Sequence, residues 1–301
     1  MDDITRVITL YDMHIRPRIR PLTFLFAGAS GVGKTEAVKI IAREYIGEKP
    51  IVLNMAEYHS SASINRIIGA PAGYAGADSN RELPFDILDT NPYQVILLDE
   101  FEKCDRSVQR LFLSVFEEGI MQTNLGKEID FSKSIIIATT NAGSSNSSKS
   151  IGFGFGDNKG RQTFPDLSDC FDMELVNRFT HKYLFNSISK DVYREIIKDC
   201  LIAEIAGMRQ GKIGKGLRKE LDRALTEETV KSLCDSTYDP KYGARPARAA
   251  VTDYIDGILI SSLSPVSAKK RSIKAEPAGK RQSVKRLKLK MLETEREKGV
   301  S

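Results

Sequence analysis

Eight residues, Gly28-Ala29-Ser30-Gly31-Val32-Gly33-Lys34-Thr35, constrain this chain more than any other segment. The apolar run 22–27 before them reads as a buried strand. The residues after them place Val38, Ile41, Ala42 and Tyr45 at the spacing of one helix face, which stops at Gly47. Glycines between a strand and a helix let the backbone curl around a polyphosphate, so that successive N–H groups and the helix N-terminus point at the anion. Lys34 adds a mobile positive charge for the β and γ phosphates, and the Thr35 hydroxyl is a ligand for Mg²⁺. The pattern implies a chain that binds a nucleoside triphosphate.

At 301 residues and 41% hydrophobic content the chain can bury a substantial core, in one large domain or two moderate ones. Cys104, Cys170, Cys200 and Cys234 are scattered, with no CxxC pair, and three histidines make no zinc-like cluster. A reduced, cytoplasmic protein is expected. The acidic start Met1-Asp2-Asp3 is unlike a signal peptide, and no window approaches the ~20 apolar residues of a membrane span. The net charge of +5 is unevenly placed: residues 266–301 hold 12 basic and 4 acidic residues, a net of +8, which leaves the rest of the chain at −3.

Residues 22–186 alternate strand and helix signals, the rhythm of an α/β fold with a parallel sheet flanked by helices. Strands are predicted at 22–27, 51–54, 95–99, 134–139 and 182–185. A helix with Val108, Leu111, Phe112 and Val115 on one face is capped by Asp105 and ended by Gly119. From about Ser187 the strand signals give way to helical patterns. One carries Tyr193, Ile196, Ile197, Cys200 and Leu201; another is capped by Thr226; a third has Pro246 in its first turn. Residues 1–186 are therefore expected to form the nucleotide-binding domain, and 187–301 a smaller, mainly helical lid. The Ser/Gly/Asn-rich stretch 142–160 reads as a long exposed loop.

The strand 95–99 ends in Asp99-Glu100. In P-loop enzymes the first acid holds Mg²⁺ and a second can polarise the attacking water. Acids closing an apolar strand are costly unless a metal or hydrogen bonds satisfy them. Together with Gly69-Ala70-Pro71-Ala72-Gly73-Tyr74-Ala75-Gly76, Leu97-Leu98-Asp99-Glu100-Phe101-Glu102-Lys103, Thr139-Thr140-Asn141-Ala142-Gly143, Asn177-Arg178 and Gly243-Ala244-Arg245-Pro246, the chain resembles the second ATPase module of the Clp unfoldases. These are AAA+ ring motors such as ClpA, ClpC and ClpB.

The resemblance implies roles residue by residue. Glu100 activates water, Asn141 matches sensor 1, and Arg245 matches sensor 2, aimed from the lid at the phosphates. Arg178 matches the arginine finger that completes a neighbouring subunit's site, which implies a homo-oligomeric ring, most simply a hexamer. Tyr74 matches the aromatic that lines the ring's pore and grips an unfolded polypeptide by area alone. Ile151-Gly152-Phe153 is a tripeptide of the kind with which some relatives dock onto the ClpP peptidase. The implied activity is ATP- and Mg²⁺-dependent protein unfolding, with a ClpP-like peptidase as a candidate partner.

Two departures from the family pattern stand out. The Gly-Gln box that precedes the first strand and helps to hold adenine is absent from residues 1–21, which leaves Ile4, Val7 and Ile8 as candidate apolar contacts. The N-terminal domain and first ATPase module are also absent, as in a single-ring relative or a fragment. The basic segment, with Lys269-Lys270-Arg271 and Lys285-Arg286, admits an alternative in which the ATPase acts on nucleic acid. No aromatic interrupts that segment to stack bases, and Val284, Leu287 and Leu289 interleave with Lys285, Lys288 and Lys290 as in a pair of lid strands. The strand reading is favoured, and nucleic acid is not an expected partner.

Overall fold

The computed structural model of the chain describes residues 2–13, 17–71, 82–142, 164–209 and 215–263. Tyr74, the segment 151–153 and the basic segment 266–301 lie outside the described residues, so the expectations placed on them rest on sequence alone.

The elements run α1 (Asp2–Asp12), β1 (Leu22–Gly28), α2 (Lys34–Ile46), β2 (Ile51–Asn54), α3 (Asn65–Ile68), β3 (Val95–Asp99), α4 (Arg106–Glu118), β4 (Ile120–Gln122), β5 (Glu128–Asp130), β6 (Ile135–Thr140), α5 (Met173–Arg178), β7 (His181–Phe185) and the helices α6 (Lys190–Arg209), α7 (Lys215–Ala224), α8 (Glu227–Thr237) and α9 (Arg245–Leu263). All five predicted strands are present, with ends within one residue of those expected. They form one parallel sheet in the order β2-β3-β6-β1-β7.

Burial on both faces explains why the central strands β1, β3 and β6 are mostly apolar runs. Leu25, Ile96, Leu98, Ile136 and Ala138 point to one face, where Val108, Phe112 and Val115 of α4 cover them. Their neighbours Phe24, Phe26, Val95, Leu97, Ile135 and Ile137 point to the other, against Val38, Ile41 and Ala42 of α2. The caps form as the sequence demands: the Asp105 carboxylate accepts from the Ser107 amide at 2.9 Å, and Gly119 closes α4 in the left-handed conformation. Thr226 caps α8 by accepting from the Thr229 amide at 3.2 Å.

Two features were not anticipated. A small antiparallel hairpin, β4–β5, stands between α4 and β6. Helix α1 places Ile4 and Ile8 in the core beside α2, with Val7 packed at its margin, so Ile4 and Ile8 are committed to the sheet face.

The chain divides into two compact units, Met1–Tyr254 and Ile255–Ser301. The second is described only over 255–263, the C-terminal part of α9. Among the described residues, no helix is long and apolar enough to cross a membrane.

Candidate active site

In an open parallel sheet, ligands bind beyond the carboxyl ends of the strands. Here β3, β6 and β1 are neighbours, so the chain emerging from each converges: Asp99-Glu100, Asn141 and the glycine loop. A cavity of about 630 Å³ opens there, lined by Lys34, Thr35, Asp99, Glu100, Asn141 and Arg245 among others.

Lys34 starts α2 and is only 7% exposed. Its ammonium donates to the carbonyls of Gly28 (2.7 Å) and Ala29 (2.8 Å) and to Asn141 Oδ1 (2.8 Å). Burial draws its pKa below the ordinary lysine range; Glu102 and Asp99 oppose that effect, and Arg245 adds to it. A phosphate, bringing negative charge to this ammonium, would favour its charged form.

Asp99 Oδ1 accepts from Thr35 Oγ1 at 3.1 Å and from Thr139 Oγ1 at 2.6 Å. Hydroxyl and carboxylate oxygens side by side are the hard donors that Mg²⁺ selects, so the residues present fit that ion. Thr139 in turn accepts from the Glu100 amide at 3.0 Å.

Glu100 is the one non-glycine residue with positive φ among those described (φ 57°, ψ 49°). Such a conformation costs of order 1–3 kcal/mol and persists where the surroundings enforce it. Here the Thr139 hydroxyl and the turn Phe101–Lys103 do so, with the Lys103 amide donating back to the Glu100 carbonyl at 2.9 Å. The kink turns the carboxylate into the cavity. Its Oε1 accepts from Asn141 Nδ2 at 3.3 Å, and its Oε2 is paired with Lys103 at 2.6 Å. The pairing with Glu100 raises the Lys103 pKa.

Motif spacing assigns no role to Glu102, Lys103 or Thr139, which the structure brings to the site. Glu102 Oε1 accepts the Asn141 amide at 3.0 Å and so fixes the backbone of the residue whose side chain bridges Lys34 and Glu100. Its Oε2 is buried without a partner, which leaves one acceptor of the cluster for a ligand or water. Alternation cannot reveal this, because Glu102 lies in a turn.

The remaining wall comes from α6, through Ile196, Asp199 and Cys200, and from Arg245 and Arg248 on α9. Ile196 and Cys200, expected on a buried helix face, line the cavity; Tyr193, Ile197, Leu201 and Ile205 form the buried face.

Arg178 does not line this cavity. It ends α5, its backbone carbonyl accepts from Thr23 Oγ1 at 3.1 Å, and its half-exposed guanidinium pairs with Glu117 and, at 3.8 Å, with Glu174. The structure thus unites Lys34, Thr35, Asp99, Glu100, Asn141 and Arg245, and leaves Arg178 apart.

The family described as AAA domain (Cdc48 subfamily) matches residues 20–182, and that described as the C-terminal, D2-small domain of ClpB protein matches 188–273. The chain is 34% identical over 263 residues to the ATP-dependent Clp protease ATP-binding subunit ClpE of Streptococcus pneumoniae, covering 86% of this chain and 34% of that protein. It is 33% identical over 260 residues to the chaperone protein ClpB of Prochlorococcus marinus, covering 84% and 29%. A closed-state cryo-EM reconstruction of Hsp104 with ATPγS and FITC casein superposes with a TM-score of 0.69 at 25% identity, over 86% of this chain and 44% of that one. The chain spans about a third of the length of the curated relatives it matches.

Proposed function

Since this chain belongs to the AAA family of ATPases, with an AAA domain of the Cdc48 subfamily followed by a ClpB-type D2-small domain, we propose that it hydrolyses ATP with Mg²⁺ to unfold or remodel protein, as a chaperone of the Clp type. The observation that carries the reading is the convergence of Lys34, Thr35, Asp99, Glu100 and Asn141 on one cavity at the carboxyl edge of the sheet.

Lys34 and the backbone amides of residues 28–35 hold the β and γ phosphates. Thr35 and Asp99 would hold Mg²⁺, whose charge neutralises the phosphate oxygens. Glu100, once released from Lys103, accepts a proton from the attacking water, and Asn141 orients that water through its side-chain amide. Arg245 reaches the phosphates from the start of α9. Ile196 and Cys200 offer an apolar wall to the base, the part assigned from sequence to Ile4, Val7 and Ile8.

Arg178 completes a neighbouring copy's site, a reading supported by its absence from the lining of its own cavity, and the working form is a ring, taken as a hexamer. Tyr74 grips substrate in the pore of that ring, and Ile151-Gly152-Phe153 docks a ClpP-like peptidase. Residues 1–186 act as the nucleotide-binding domain and 187–301 as the lid, consistent with the absence of strands among the described residues after β7. A cytoplasmic location suits four cysteines that are all free thiols.

The deciding experiment measures ATP turnover with casein, with DNA, and with neither. Casein should stimulate turnover, and Tyr74→Ala should abolish that stimulation while sparing basal turnover. Stimulation by DNA alone, weakening as salt rises, would replace this reading with the nucleic-acid one.

A further inference from the structure

The charges that line the cavity from the sheet side are already engaged. Lys34 is held by two carbonyls and Asn141, and Lys39 pairs with Glu36 at 3.3 Å. Asp99 accepts from two hydroxyls, and Glu100 pairs with Lys103. The lining charges contributed by α6 and α9 are Asp199, Arg245 and Arg248, and these have no ion pair or side-chain hydrogen bond among the described residues. Two arginines suit a site for a triphosphate. An acid does not, because it repels that ligand.

The helix that carries Asp199 gives no reason for it. The positions three and four residues away, where the partner of a surface ion pair would stand, hold Glu195, Ile196, Ile202 and Ala203, none of them basic. The nearby Arg194 and Lys198 are both bound to Glu227, at 2.9 and 3.3 Å. Nor does Asp199 belong to the packing face of α6, which is Tyr193, Ile197, Leu201 and Ile205. It stands with Ile196 and Cys200, within one helical turn, on the strip that lines the cavity.

A carboxylate only accepts hydrogen bonds. The phosphates of a nucleotide offer it no donor, which leaves the ribose hydroxyls and the amino group of the base. The order of groups along the ligand chooses between them. Arg245 stands beside the phosphate loop, because the neighbouring Ala244 amide donates to the Gly31 carbonyl at 2.8 Å. Arg248 lies about 4.5 Å further along α9 by helical rise. It acts on Cys200, whose thiol pKa is raised by burial and drawn back by the Arg248 charge. The wall thus passes from the phosphate cations to the α6 strip, where Ile196 and Cys200 give the base an apolar surface. The ribose, tethered between base and phosphates, comes to Asp199.

We infer that Asp199 is the sugar-selecting residue of the site: its carboxylate accepts from the ribose hydroxyls of the bound nucleotide, and Arg248 offsets its charge against the phosphates. The inference deepens the proposed function and rests on it for the presence of a nucleotide in the cavity.

The test is isothermal titration of the full chain with ADP and with 2′,3′-dideoxy-ADP, which lacks both hydroxyls. Hydrogen bonds to a charged acceptor should make the wild type bind ADP roughly fivefold or more tightly than the dideoxy nucleotide. Asp199→Ala and Asp199→Leu should bring that ratio below about twofold, by weakening ADP. Glu195→Ala, one turn back on α6 and outside the cavity lining, should keep the wild-type ratio. A merely structural effect would weaken both nucleotides alike and leave the ratio unchanged. A smaller ratio in the wild type, or a larger one in either Asp199 variant, would overturn the inference. Purine riboside 5′-diphosphate, which lacks the amino group, exposes the alternative. If the Asp199 variants bind it as well as the wild type does but remain weak for ADP, the carboxylate reads the base and the inference fails. No binding of ADP by the wild type would remove the nucleotide reading and the inference together, whereas binding without a sugar preference would remove the inference alone.

Discussion

The carbonyl of Gly31, in the middle of the phosphate loop, accepts a hydrogen bond from the amide of Ala244 at 2.8 Å. Backbone meets backbone here because both Gly31 (φ 79°) and Gly243 (φ 56°) occupy the left-handed region, and a Cβ on Gly243 would fall 2.5 Å from the Gly31 carbonyl oxygen. The contact sets Arg245 and the loop in one frame. Gly243→Ala should cost about 2 kcal/mol or more from the forced left-handed conformation and the clash. That corresponds to a fall in melting temperature of about 4–8 °C for a domain of this size. ATP affinity should weaken in parallel. An unchanged melting temperature and nucleotide Kd would show the contact to be dispensable.

Glu100→Gln keeps the shape of the side chain and an acceptor for Asn141, but removes the carboxylate that takes the proton. ATP should still bind, while turnover falls by roughly 10²–10⁴-fold. Single-turnover assays read this directly, and turnover near the wild-type rate would remove Glu100 from the chemistry.

The pairing of Arg178 with Glu117 in its own chain leads to a mixing experiment. Arg178→Ala alone should lose roughly 10³–10⁵-fold in turnover if Arg178 acts as an arginine finger. Mixed with Glu100→Gln it should recover activity, because some sites then combine an intact Glu100 with a neighbour's intact Arg178. Failure to recover, with mixed oligomers demonstrated, would place Arg178 in the service of its own site.

Tyr11 offers a pH test of how α1 is held. Burial is the main cause that pushes its phenol up to about 12, and Arg18 partly opposes it; the hydroxyl donates to the Ser132 carbonyl at 2.7 Å. A folded pKa above the unfolded one means that the contribution is fully present below pH 10 and is lost as pH rises from about 10 towards 12. Wild type should therefore lose more stability over that window than Tyr11→Phe, measured as the shift in urea midpoint. Parallel losses would show that the phenol contributes nothing.

Much of the fold was legible because the determining signals are local. A strand buried on both faces must be an unbroken apolar run, as 95–99 is, and helix ends announce themselves through Asp105, Gly119 and Thr226. The hairpin was not legible: its strands are three residues each, Ile120 and Leu125 are exposed, and it is held by contacts to residues 38 to 56 positions away. The functions of Glu102 and Thr139 escaped for the same reason, since each is defined by a partner about 40 residues distant.

The sequence by itself determined the phosphate loop, the acidic strand end and the family, because those depend on residue type at fixed spacing. Only the tertiary structure decided that Glu100 is kinked and paired with Lys103, that Ile4 and Ile8 belong to the core, and that Ile196 and Cys200 face the cavity. Those outcomes depend on which elements pack together, and helical spacing names a face without saying whether it meets the core or a cavity.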